Sequence, residues 1–209
     1  MEQRNVQARI GENATIVTTG EGAKGVVVTG NRSLLDNRGT IESVGIGIDT
    51  FNAAGLSRNR GSIATSGDSA HGISHVNIGT SRLGNGFNFI ASNLGRIETS
   101  GAGAMGIAAE GVDGAVENSN QIITTGDNAI GMQYIGNAFL FANSGEISTT
   151  GASAHGMRSV GNTLTENTGE IATTGEGAIG LLAEGDGSEG RNSGQINTSG
   201  NLAHGIAVI

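Results

Sequence analysis

The sequence contains no cysteine, no proline and no tryptophan, and it has only six aromatic residues among 209. Without cysteine, the chain can form neither a disulfide framework nor a thiolate metal site. No apolar run approaches the roughly 18 residues that a membrane-spanning helix needs. Basic residues are also scarce: 11 Lys and Arg stand against 19 Asp and Glu, and the formal net charge of −8 argues against a nucleic-acid partner.

Glycine, by contrast, is in excess, with 38 positions. The Leu, Ile, Val and Phe residues number 47, which is enough for a modest apolar core rather than a disordered chain. The first ten residues, MEQRNVQARI, lack the apolar stretch of a secretory signal. We therefore expect either that a secreted parent lost its signal or that the chain is a segment of something longer.

An internal repeat runs through nearly the whole chain. Isoleucine recurs at Ile16, Ile41, Ile63, Ile97, Ile122, Ile147, Ile171 and Ile196. Four residues before all but the first of these stands an asparagine: Asn37, Asn59, Asn93, Asn118, Asn143, Asn167 and Asn192. Four residues after each isoleucine stands a glycine: Gly20, Gly45, Gly67, Gly101, Gly126, Gly151, Gly175 and Gly200. A threonine or serine lies two residues after each isoleucine.

The spacing within a unit predicts strands rather than helices. No glycine-free stretch shows the i, i+3, i+4, i+7 pattern of a helical repeat, whereas short apolar segments end at Gly or Asn. We therefore predict an all-β fold, a three-sided parallel β-helix (β-solenoid) of about eight coils with roughly 25 residues each. Residues 1–11 form an N-terminal lead-in and 12–209 the repeat domain, with an insertion loop at 74–92. The coils begin near residues 12, 37, 59, 93, 118, 143, 167 and 192.

Stacking of identical residues suggests structural roles for the columns. The isoleucines build a narrow core, and the threonines two residues later point inward beside a turn. The asparagines form a structural ladder of amide hydrogen bonds from coil to coil. The glycines are expected to supply positive φ at the turn.

Three repeats, NSGEISTTGASAHGM (143–157), NTGEIATTGEGAIGL (167–181) and NSGQINTSGNLAHGI (192–206), resemble the passenger domains of bacterial autotransporters, the pertactin-like and AIDA-like surface proteins. The resemblance covers about residues 12–209. It implies a right-handed parallel β-helix at the bacterial cell surface or outside the cell, exported through a C-terminal membrane barrel outside this chain. It further implies roles in adhesion, in self-association leading to aggregation or biofilm, or in carrying an effector domain.

No residue pattern points to catalysis, to a cofactor or to a metal. His71, His155 and His204 share one place in the repeat but belong to coils three, six and eight, too far apart for one ion. Glu146 and Glu170 occupy adjacent coils in an outward column. A solvated acidic face explains them better than the paired carboxylates of a glycosidase.

Two sets of residues are candidates for binding a partner. Arg82, Phe87 and Phe89 lie in the insertion loop, where the phenylalanines either pack on the core or contact a ligand. The second set is an outward hydroxyl column with a neighbouring acidic one. Its members are Ser66, Ser100, Thr125, Thr150, Thr174 and Ser199, with Glu146, Glu170 and Gln195 beside them.

These observations predict a non-enzymatic surface segment that acts in adhesion, in self-association or as a stalk. The expected partners are a second copy of the chain, a host-surface protein or a glycan. The alternative is a carbohydrate-active β-helix enzyme or a phage tailspike-like, glycan-binding fragment, in which the Phe87 and Phe89 loop shapes a groove.

Overall fold

Within residues 6–52, 54–78 and 88–209, which the computed structural model describes, the chain forms 22 β-strands and no helix. In chain order the strands are β1 (Gln7–Ile10), β2 (Thr15–Thr18), β3 (Val26–Thr29), β4 (Ser33–Asn37), β5 (Thr40–Ser43), β6 (Ile48–Asn52), β7 (Gly55–Asn59), β8 (Ser62–Thr65), β9 (Ile73–Asn77), β10 (Phe89–Asn93), β11 (Arg96–Thr99), β12 (Ile107–Asn118), β13 (Gln121–Thr124), β14 (Met132–Asn143), β15 (Glu146–Thr149), β16 (Met157–Val160), β17 (Leu164–Asn167), β18 (Glu170–Thr173), β19 (Ile179–Glu184), β20 (Glu189–Asn192), β21 (Gln195–Thr198) and β22 (His204–Val208).

The strands stack in parallel on three faces. The first face is an eight-stranded sheet in the order β2-β5-β8-β11-β13-β15-β18-β21. The second face contains β3, β6, β9, the first halves of β12 and β14, then β16, β19 and β22, and the third contains β1, β4, β7, β10, the second halves of β12 and β14, then β17 and β20. Since β12 and β14 continue around the corner, these two faces form one 14-stranded sheet. The predicted β-solenoid of about eight coils, with roughly 25 residues per coil, is confirmed.

The core is a stack of inward isoleucines. On the first face Ile41, Ile63, Ile97, Ile122, Ile147 and Ile171 pair in register and are fully buried. On the other two faces the core widens to hold Phe89, Tyr134 and Phe141. The ring centroid of Tyr134 lies 6.1 Å from that of Phe89 and 6.2 Å from that of Phe141. Burying each such side chain contributes about 1.5–3 kcal/mol, so the core is the main source of stability.

The asparagine ladder forms as predicted. The side-chain Nδ2 of each asparagine from Asn37 to Asn167 donates to the Oδ1 of the next at 2.7–2.9 Å, ending at Asn192. Asn143, for example, also donates to the carbonyl of Gly145, at 3.2 Å. The inward threonines are structural too, since Thr99, Thr124 and Thr149 each donate to the carbonyl oxygen of an alanine five residues later at 2.6 Å.

The glycine column after each threonine has a different cause from the one predicted. Gly126 and Gly151 do not have positive φ; the backbone reaches positive φ two residues later, at Asn128 (56°) and Ser153 (52°). A Cβ on Gly151 would instead collide with the carbonyl oxygen of Gly126 in the preceding coil. Close approach of stacked backbones therefore requires glycine there, while the left-handed conformation lies two residues later.

The predicted lead-in and insertion both contribute strands. Residues 7–10 form β1, which pairs with β4 and extends the third face by one strand. Of the expected insertion at 74–92, residues 74–77 belong to β9 and 89–92 to β10. The coil is thus regular up to the edges of the segment between these strands.

Candidate functional site

The hydroxyl column lies at one edge of the first face and is exposed along its whole length. Each member directly follows an inward threonine or serine, and its backbone N–H donates to the preceding coil, as Thr125 N–H does to Thr99 O at 3.0 Å and Thr150 N–H to Thr124 O at 3.1 Å. The backbone is therefore fixed while the side chains are exposed to solvent. All six predicted members are exposed: Ser66, Ser100, Thr125, Thr150, Thr174 and Ser199.

The acidic column lies at the opposite edge of the same face. Gln121, Glu146, Glu170 and Gln195 pair in register at the first position of their strands, and both glutamates are exposed. Gln121 Nε2 donates to Glu146 Oε2 at 2.9 Å. A four-residue strand separates this column from the hydroxyls, a distance of about 13 Å. The two columns therefore flank the face instead of lying side by side.

An open groove of about 420 Å³ crosses the first four coils of this face. Val17 forms its apolar part and is 58% exposed. Glu42, Glu98, Ser66 and Ser100 supply polar groups along its sides. Two members of the hydroxyl column therefore line a concave surface that also contains apolar and acidic side chains.

A second groove, of about 340 Å³, lies on the second face. Arg158 crosses it, donating from Nε to Glu184 at 2.6 Å and from Nη1 to Gln133 at 3.0 Å. His155 lines the same groove, and its Nδ1 accepts from the backbone N–H of Ile179 at 3.0 Å. Burial lowers the pKa of His155, so the neutral imidazole acts here as a hydrogen-bond acceptor between coils.

The other three histidines do not form a common site with His155. His71 Nδ1 accepts from Met105 N–H at 3.0 Å, the same coil-to-coil bond that His155 makes, and burial lowers its pKa. His204 is exposed in β22. His75 lies in the core, stacked on Phe89 with 4.7 Å between ring centroids, and burial lowers its pKa to about 3.

The prediction that Phe89 could contact a ligand is wrong. It is fully buried at the start of β10, between His75 and Tyr134. Packing on the core, one of the two predicted alternatives, is therefore the role that the structure gives it. Arg82 and Phe87, the other two loop candidates, lie outside the described residues.

Several classes of site are missing from the described part of the chain. No group of three or more His, Asp or Glu side chains there is placed to hold a metal ion. Nor does that part contain a helix long and apolar enough to cross a membrane. Glu42 and Glu98 stand in one column with Ala64 between them, so no pair of carboxylates meets there on adjacent coils.

Sequence reasoning did not single out the outer surface of the third face. There an outer aliphatic column runs through Leu34, Leu56, Ile90, Ala115, Leu140 and Leu164. All but Ala115 are partly exposed, and each lies three residues before a ladder asparagine. Because side chains alternate along a strand and the asparagines point inward, that odd offset could have predicted the outward direction.

Comparison of the chain with protein-family models, with curated protein sequences and with solved structures finds no match. The fold and the exposed columns are therefore the basis for a functional proposal.

Proposed function

We propose that this chain is a non-enzymatic β-helical segment of a bacterial surface protein, of the autotransporter passenger type, that acts in adhesion, in self-association or as a stalk. The observation that supports this proposal is the exposed hydroxyl column, which repeats without a break from the third to the eighth coil. Its regular spacing, about 4.8 Å per coil, suits a partner that presents acceptors or donors at a similar repeat.

The mechanism is the addition of many weak contacts. A single neutral hydrogen bond contributes about 0.5–1.5 kcal/mol net, too little to hold two molecules together. Thr125, Thr150 and Thr174 project from one rigid backbone, so little conformational entropy is lost when successive contacts form. A glycan chain, a host-surface protein or a neighbouring copy of this protein could each supply the matching surface.

The proposal is tested by displaying the segment on bacterial cells and measuring cell settling and attachment to glycan-coated and host-protein-coated surfaces. T125K/T150K should reduce settling or attachment several-fold, because lysine replaces two hydroxyls of the column. N137K/N162K is the matched control, since both asparagines are exposed at another corner and the added charge is the same. Equal loss in both variants, or no effect of the segment itself, would contradict a role for the hydroxyl column.

The carbohydrate-active alternative retains one supporting observation, the polar groove around Arg158 on the second face. It predicts release of new reducing ends from a polysaccharide by the purified protein. Loss of that release in R158A, with unchanged thermal stability, would favour the alternative over a contact surface.

A further inference from the structure

The outer aliphatic column is an apolar strip on the outside of the molecule. Leu34, Leu56, Ile90, Ala115 and Leu140 are consecutive partners in the register of the third face. The inward side of the same strands has its own core residues, such as Leu35 and Phe141, which are fully buried. The outer column is therefore additional apolar surface, partly exposed on both sides of the buried Ala115, and exposed apolar surface of this kind is typical of a contact region.

A charged column lies two residues further along the same strands. Its members are Arg9, Asp36, Arg58, Ser92, Glu117, Ala142, Glu166 and Arg191. Asp36 is bound by Arg38 and Arg60, and Arg191 by Glu189. Across the described ranges, no salt bridge involves Arg58, Glu117 or Glu166.

Charge is also unevenly distributed along the solenoid axis. Residues 1–104 contain nine of the eleven Lys and Arg and eight of the nineteen Asp and Glu, a net charge of +1. Residues 105–209 contain two and eleven, a net charge of −9. Two copies side by side in parallel would place the acidic halves together, whereas an antiparallel pair places each acidic half against the other, nearly neutral half.

We propose that the third face binds a second copy of this chain in antiparallel orientation, about a twofold axis that passes through the coil of Ala115. The inference deepens the self-association part of the proposed function and rests on it. A twofold axis parallel to the strands superimposes each column on itself, so the aliphatic strips meet and the charged columns meet.

This register brings complementary residues together. Leu56 faces Leu164 of the other copy, and Ile90 faces Leu140, while Ala115, which is buried, lies beneath the axis. At the ends of the column Leu34 faces Glu189, the neighbour of Leu164 in β20. In the charged column Arg58 faces Glu166 and Asp36 faces Arg191, each pair occurring twice by symmetry. Glu117 alone faces its own copy.

The size of the face fixes the expected strength. Strands of four to five residues across eight coils cover about 15 by 38 Å, or roughly 600 Å² on each partner. Standard interfaces bury about 800 Å² on each partner, so the dimer should be weak and dissociate in the micromolar range.

Sedimentation equilibrium of the whole chain tests the pairing through charge exchange. R58E and E166R should each weaken the dimer at least tenfold, because each homodimer then contains two repulsive pairs. An equimolar mixture of the two variants should dimerise about as well as the unmodified protein, since both cross-contacts in the mixed dimer become attractive. A mixture no stronger than the single variants would overturn the proposed pairing.

A second set of variants tests the aliphatic strip and the axis. L140E should abolish dimerisation while N197E, at an exposed position of β21 on the first face, leaves it unchanged; circular dichroism and thermal melting check that both remain folded. E117Q should tighten the dimer a few-fold, because it removes the like charges on the axis. A protein that stays monomeric at millimolar concentration, or a dimer broken by N197E but not by L140E, overturns this inference. The effect of T125K/T150K on attachment is measured separately, so the proposed function stands or fails on its own result.

Discussion

At the scale of single residues, we expect substitutions in the buried asparagine ladder to reduce stability. N118A removes the acceptor of Asn93 Nδ2 and the donor to Asn143 Oδ1, both at 2.8 Å in a buried column. Asn93 Nδ2 keeps its bond to the carbonyl of Gln121, at 3.1 Å, whereas Asn143 Oδ1 loses the donor of the ladder bond. Leaving one such buried group unsatisfied costs about 1–3 kcal/mol, so we expect a loss of roughly 2 kcal/mol in the free energy of unfolding. Urea denaturation measures this loss, and N137A, at an exposed asparagine outside the ladder, should change stability by less than about 0.5 kcal/mol.

His75 should make the protein less stable in acid. Its pKa is about 3 in the folded state because of burial, against 6.5 for the unfolded chain. Between pH 6.5 and 3 the unfolded state therefore takes up a proton that the folded state does not, and stability falls as pH falls, by about 1.4 kcal/mol per pH unit. Above pH 6.5 this effect vanishes. The lowered pKa values of His71 and His155 act in the same direction.

Urea denaturation at pH 7 and pH 4.5 measures this contribution. The difference in unfolding free energy between the two pH values should be smaller by about 2–3 kcal/mol in H75L than in the unmodified protein. Ser57 keeps its hydrogen bond to Thr50, at 2.7 Å, so the variant should still fold. The same pH difference in H75L and in the unmodified protein would show that His75 is not the group responsible; H204Q serves as the exposed control.

At the scale of strands and turns, the stacked glycines set how closely coils approach. In G151A the new Cβ meets the backbone carbonyl of Gly126, which has no freedom to rotate away. We expect a loss of about 3 kcal/mol or more, measured by thermal melting. Gly20 occupies the same place in the repeat, but a Cβ there would meet only Ala23 Cβ, at 3.5 Å. G20A should therefore be tolerated, and equal losses in the two variants would contradict the close-approach explanation.

The same strands show which features the sequence could predict. Columns such as those of Asn118 and Thr124 repeat with identical residues, so their structural roles follow from the sequence alone. The role of Phe89 is harder to predict, because its position in a longer unit suggests a loop. It lies four residues before Asn93, an even offset, and strand alternation alone would have placed it inside. Hydrophobicity does not distinguish an inward Phe89 from an outward Leu140, whereas counting from the ladder does.

At the scale of the whole molecule, the solenoid should tolerate the loss of one complete coil. Deleting residues 118–142 joins Glu117 to Asn143, which restores the repeat and lets β11 pair with β15 in the register of their isoleucines. We expect a folded protein with a slightly lower melting temperature, because each coil contacts only its neighbours. Deleting 118–130 removes half a coil and should unfold the protein. Circular dichroism compares the two, and equal unfolding would contradict independent coils.

The partner is the part that the repeat could not predict. A column such as Thr125, Thr150 and Thr174 identifies a long regular surface but no particular ligand, because the same residues also suit a spacer. The charged column of the third face could not be predicted from single repeats, because its members are aligned by the pairing of neighbouring strands. The register that aligns Arg58 with Ser92, and Ser92 with Glu117, is fixed by backbone pairing between coils.

The ladder also gives the molecule a chemical polarity. Every amide from Asn37 to Asn167 donates in the same sense along the axis, so the dipoles of the side chains add instead of cancelling. One end of the row presents a carbonyl oxygen, at Asn37, and the other presents N–H groups, at Asn192. Coils of this kind can therefore be joined head to tail in a continuous row, whereas two like ends would confront oxygen with oxygen or N–H with N–H.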